Sequence, residues 1–182
     1  NQFAQTKHSV AIWSSSFAQA ASSQNNNLQN CIRCHDAKGY INYSYGRTTN
    51  TTGWTEANQT DLGCSMCHDP HGTTNPASLR FTPSVGDTLG NGFNYTAAVN
   101  GEGKLCMNCH KSRRDNVTYV PAGTISSHWG PHHSTQSDNL LGQNAAEFGT
   151  SYTSSVAHKS LQGACVDCHM AADTTAANKD KV

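Results

Sequence analysis

The chain has 182 residues, a formal net charge of zero and only 13% charged side chains; its densest cationic group is Lys111, Arg113 and Arg114, too sparse for a nucleic-acid surface. Leu, Ile, Val and Phe fill 25 positions, about 14%, below the roughly 20% at which globular chains keep a side-chain core. Neutral charge and eight regularly placed cysteines argue against disorder, so something other than side chains must fill the interior.

From the N-terminus, Val10, Trp13, Phe17 and Ala20 follow a helical stripe, predicting a short helix over 7–21. The polar run Ser22 to Asn30 leads into Cys31-Ile32-Arg33-Cys34-His35. Ile41, Tyr43 and Tyr45 alternate as in a short strand. Cys64-Ser65-Met66-Cys67-His68 follows the turn-rich GRTTNTTG, and Cys106-Met107-Asn108-Cys109-His110 follows TPSVGDTLGNG. After PAGTISS and the histidine-rich SSHWGPHHSTQSDNLLG, helical spacing at Val156, Leu161 and Ala164 precedes Cys165-Val166-Asp167-Cys168-His169. The motif starts lie 33, 42 and 59 residues apart, an array with unequal insertions. The expected fold is mostly irregular coil with a few short α-helices, one of them around each motif, and minimal β structure. A single domain over 1–182 is expected, with 1–30 as a segment able to reach a neighbouring subunit.

All eight cysteines fall in CxxCH units, the attachment pattern of c-type haem: two thiols bond the porphyrin's vinyl groups and the next histidine ligates the iron. Zinc knuckles or disulfides would also use paired cysteines, but neither explains the histidines. With ten His in 182 residues, one directly after all four pairs by chance has a probability of about one in a hundred thousand. Four macrocycles bonded through Cys31, Cys34, Cys64, Cys67, Cys106, Cys109, Cys165 and Cys168, with His35, His68, His110 and His169 on the irons, supply the missing apolar interior.

Six further histidines, His8, His71, His128, His132, His133 and His158, exceed the four needed for bis-histidine ligation, which holds potentials low and leaves no open site. His71 stands three residues after His68 and cannot reach the opposite face of the same porphyrin, so as a ligand it serves another haem. His158, seven residues before Cys165, is read the same way. In the loop at 128–133 the choice is His132, with His128 and His133 as alternates, and His8 is the candidate for the fourth site. Met66, Met107 and Met170 read as packing residues. Asn1 follows no leader pattern and no apolar run approaches the roughly 20 residues of a bilayer span, so the sequence reads as a mature, secreted product. Five N-x-S/T sequons, at Asn42, Asn50, Asn58, Asn94 and Asn116, against about 3.5 expected by chance from composition, give glycosylation only weak support.

In their order, His8, the Cys31-to-His35 motif with Gly39-Tyr40, CSMCHDPHG, CMNCHKSRR, PHHSTQSDNLLG and SVAHKSLQGACVDCHM resemble multihaem cytochromes of the doubled-CxxCH type. With four motifs the chain looks most like the OmcE-type extracellular cytochrome filaments. That resemblance implies a polymerising subunit with stacked bis-His haems, one axial His donated by the adjacent copy (here His8), and the His after Pro in the loop, His132, as a ligand. Electrons would pass to extracellular or membrane redox partners, and no substrate-converting site is expected. A soluble monomeric tetrahaem shuttle is the alternative; a multihaem reductase fits less well, because all four attachment motifs are plain CxxCH.

Overall fold

The first CxxCH sequence ends a helix, α1 (Leu28–His35), and the next residue, Asp36, breaks it with an extended backbone (φ −144°, ψ 130°). Asp36 then starts α2 (Ala37–Ser44) by accepting a hydrogen bond from the Gly39 N–H at 2.7 Å, the usual task of an N-cap carboxylate. Its second oxygen accepts from the Thr60 N–H, also at 2.7 Å. Thr60 in turn takes the Ala37 N–H on its carbonyl and the Lys38 N–H on its hydroxyl, so the loop before the second motif is stapled to the start of α2.

These relations come from a computed structural model that describes residues 3–10, 28–72, 74–80, 88–97, 102–123, 125, 132, 136–153, 156–161 and 163–170. The chain forms two compact units, one running to Val85 and the other beginning at Gly86.

In the first unit α2 lies on α1 so closely that a Cβ on Gly39 would stand 2.5 Å from the Ile32 carbonyl oxygen. Only glycine fits there, and the approach buries Ile32 and Tyr40 completely. The third helix, α3 (Cys64–Cys67), is a single turn carrying the second motif. Ile41 and Tyr43, expected in a strand, belong to α2, and Tyr45 caps it. Alternation over five residues is a weak signal, and here the Asp36 cap and the Gly39 contact favour the helix.

In the second unit, α4 (Gly103–Cys109), α5 (Asn116–Tyr119), α6 (Gln136–Leu141), α7 (Val156–Lys159) and α8 (Cys165–His169) are all short. They gather round a small core of Leu89, Tyr95, Met107, Leu141 and Ala164, flanked by Phe93, Leu140 and Cys165. The spacing that suggested a helix into the fourth motif is interrupted: Ala164 has φ 50°, which separates α7 from α8.

Among the described residues β structure is limited to two isolated bridges, His68 with Leu79 and Thr88 with Asn94, in agreement with a coil-rich chain of few short helices. Of the helix expected over 7–21, Lys7–Val10 forms a 3-10 turn and 11–21 lies outside the described residues. No described helix is long and apolar enough to cross a membrane.

Candidate haem-binding sites

Each CxxCH sequence occupies about one helical turn: the end of α1, all of α3, the end of α4, and α8. Residues i, i+3 and i+4 share a helix face, so one turn directs both thiols and the following imidazole to the same side. The His68 N–H closes its turn on the Cys64 carbonyl at 2.9 Å, and the His110 N–H closes on that of Cys106 at 3.0 Å. None of the eight cysteines is joined in a disulfide. Among the described residues no three His, Cys, Asp or Glu side chains gather as a metal-ion cage, whereas a structural zinc site needs four converging ligands.

The imidazoles themselves test the fit to haem. His68 Nδ1 lies 2.7 Å from the Ala77 carbonyl oxygen. A carbonyl only accepts, so Nδ1 carries the proton and Nε2 presents its lone pair, the form in which histidine binds a metal. His110 Nδ1 faces the Gln136 side-chain oxygen at 3.4 Å, a longer contact of the same sense. Two thiols outside any disulfide, to bond the porphyrin, and an imidazole whose other nitrogen is tied back, to ligate the iron, are the groups that c-type haem requires.

Around the second motif the acceptor for His68 is held by a local clamp. The Asp69 N–H donates to the Ser78 carbonyl at 2.7 Å and the Arg80 N–H to that of Cys67 at 2.8 Å. Ala77 and Ser78 adopt left-handed backbone, φ 51° and 55°, which turns the Ala77 carbonyl toward the ring. Arg80 also reaches the Ser65 carbonyl through Nε at 2.7 Å and the Asp69 carboxylate through Nη1 at 3.1 Å. The Tyr45 hydroxyl donates to the same carboxylate, and Asp69 Oδ1 accepts from the His71 N–H at 3.0 Å. The Tyr45 hydroxyl, then the His71 amide and the nearby Arg80 cation, hold the Asp69 carboxyl below its usual range. Burial pushes the Cys67 thiol up, with Cys64 adding to the effect.

The third and fourth motifs meet. A Cβ on Gly103, which opens α4, would stand 2.4 Å from the Gly163 carbonyl oxygen and 2.8 Å from Ala164 Cβ, so the absence of a side chain there lets α4 and α8 approach. The Cys106 thiol hydrogen-bonds Cys165, whose own thiol is thereby brought down to about 7 against the opposing effect of burial. The first attachment cysteines of two motifs therefore stand in direct contact.

Residues 57–115 match the doubled CXXCH motif family. The match spans the second and third motifs and supports a multihaem c-type cytochrome that binds haem covalently and transfers electrons. No curated protein and no solved structure matches the chain.

The spare histidines are placed unevenly. His8, His71 and His158 are exposed, on the Lys7–Val10 turn, the turn after α3, and α7 respectively. His132 is half-buried, its carbonyl accepting from the Arg113 N–H at 3.0 Å; His128 and His133 lie outside the described residues. Of the proximal histidines, His35 and His110 are half-buried and His68 and His169 exposed. Met66 and Met107 are buried as expected of packing residues, whereas Met170 is 54% exposed. Within the densest cationic group, Lys111 is buried with its ammonium 5.7 Å from the Tyr95 ring centre, while Arg113 and Arg114 are exposed. Sequence reading passed over the residues that fix the motifs, Asp36, Tyr45, Asp69, Arg80, Ser112, Asp138 and Asn144. A usable signal existed for the aspartates of the first two motifs, since each directly follows a CxxCH.

Proposed function

We propose that this chain is an exported, extracellular electron-transfer protein carrying four c-type haems, each ligated by two histidines, and that it is the subunit of a polymeric filament. When bound, the haem iron supplies reversible one-electron exchange. The protein's part is to hold each imidazole with its proton on Nδ1 and its lone pair outward, as His68 is held against Ala77.

The observation that carries the reading is the His68-Asp69-Pro70-His71 turn. Its two imidazoles cannot serve opposite faces of one porphyrin, and the Asp69 carboxylate fixes the backbone between them. With His71 as a ligand, one short loop joins two neighbouring haems, the arrangement that rapid transfer between them needs. His132, His158 and His8 complete the distal set, His8 being the candidate to reach a second copy of the chain because it lies exposed on the Lys7–Val10 turn. A side-chain charge of zero lowers repulsion between identical copies. With four six-coordinate irons the protein is an electron carrier and not a reductase, passing electrons to extracellular or membrane redox partners.

Pyridine haemochrome assay together with intact mass should give four covalent haems per chain, and micrographs of the purified protein at neutral pH should show filaments. Fewer haems would refute the tetrahaem assignment. Discrete single-subunit particles, with a monomer in sedimentation, would replace the filament by a soluble shuttle.

A further inference from the structure

The backbone that follows the third motif is bound along a segment more than twenty residues further on. The His110 carbonyl accepts from the Ser137 N–H at 3.0 Å, and the Arg113 N–H donates to the His132 carbonyl at 3.0 Å. Directly after Ser137 comes Asp138, 4% exposed. Its carboxylate accepts from the Ser112 N–H at 2.9 Å, the Ser112 hydroxyl at 2.6 Å and Asn144 Nδ2 at 2.7 Å. A carboxylate can be buried only when donors replace its water, and here they come from the stretch just past His110 and from beyond α6. Asn144 closes the knot: Nδ2 also reaches Ser112 Oγ and the Arg114 carbonyl, and Oδ1 accepts from the Asn116 N–H at 2.8 Å. Its backbone is left-handed, φ 60°, a conformation that asparagine tolerates better than most residues.

The register of this knot parallels the second motif. There, His71 is the third residue after the proximal His68; after the proximal His110 the third residue is Arg113. The Arg113 amide holds the His132 carbonyl, so the fold sets a histidine from a distant segment beside the position that His71 occupies in the chain itself. In the second motif an aspartate fixes this place through the His71 amide; in the third, Asp138 does so through Ser112, one residue before Arg113.

We propose that the Ser112, Asp138 and Asn144 knot is a positioning device that delivers His132 to the third motif as the counterpart of His71, directed to a haem other than the one His110 ligates. This rests on the reading of His132 as an axial ligand, and it adds how the choice among His128, His132 and His133 is made: by the backbone contact that Asp138 enforces.

The test uses the haem-loaded, full-length protein and three variants, His132→Ala, Asp138→Ala and Asn144→Ala. Haem content is checked by intact mass, and the oxidised irons are sorted by electron paramagnetic resonance and near-infrared magnetic circular dichroism. The expected result is four haems in every case, with one of four low-spin bis-His signals replaced by a high-spin or water-ligated one in all three variants, the same haem each time. Should Asp138→Ala fail to mature, Asn144→Ala decides. A changed signal in His132→Ala with four intact signals in either matured knot variant overturns the positioning role and leaves the ligand reading standing. Four intact signals in His132→Ala overturn both.

Discussion

Replacing Asp36 by Ala removes a side chain with no solvent exposure and with it the acceptor for two amides, Gly39 N–H and Thr60 N–H, both at 2.7 Å. A hydrogen bond to a charged acceptor contributes about 1.5–3 kcal/mol, and loss of an N-cap alone about 1 kcal/mol. The two bonds share one carboxylate and are not additive, so the expected destabilisation is about 3 kcal/mol. Asp36→Asn, which keeps one acceptor oxygen, should lose about half of that. Urea unfolding of the haem-loaded protein, followed by far-ultraviolet circular dichroism and compared through the midpoint at constant slope, measures the change. Asp36→Ala within about 0.5 kcal/mol of the parent, the range of ordinary surface substitutions, would refute the claim that this carboxylate joins α2 to the loop at Thr60.

Gly39→Ala should destabilise the first unit by about 1–3 kcal/mol in the same assay, because its Cβ meets backbone at Ile32 that cannot give way. Arg80→Ala should lower the urea midpoint, and Arg80→Lys should fail to restore it, since one ammonium cannot bond both the Ser65 carbonyl and the Asp69 carboxylate in the fork that guanidinium provides; full recovery with Lys would refute this. Gly103→Val should lower the thermal midpoint by driving α4 from α8, where the added Cβ has only 2.4 Å to the Gly163 oxygen. If the chain carries N-glycans, peptide mapping should find them at exposed Asn50, Asn58 or Asn94 and not at Asn116, which is 5% exposed with its backbone N–H held by Asn144 Oδ1.

The chemistry of attachment was legible because it is local: CxxCH needs only five consecutive residues, and one helical turn brings the three donors together. The coil-rich character was legible in the shortage of Leu, Ile, Val and Phe and the abundance of turn formers. The alternation at Ile41, Tyr43 and Tyr45 misled, although Asp36 and Gly39 stood just upstream as cap and contact residue. The break at Ala164 lay beyond pattern reading, since positive φ at an alanine is imposed by its surroundings. What sequence spacing conceals most fully is the support of each motif. Ser112, Asp138 and Asn144 are separated by 26 and 6 residues, and Arg80 lies 11 and 35 residues from Asp69 and Tyr45; such partners are chosen by the fold.

The described core of the second unit, with Leu89, Tyr95, Met107, Leu141 and Ala164 as its buried members, is small for a cluster asked to order so much irregular backbone. Haem bonded beside Met107 and Cys165, in or against this cluster, would add apolar surface where side chains supply little. A chain that lacks one thioether bond should hold its macrocycle less firmly against that core and unfold at a lower urea concentration than the fully attached one.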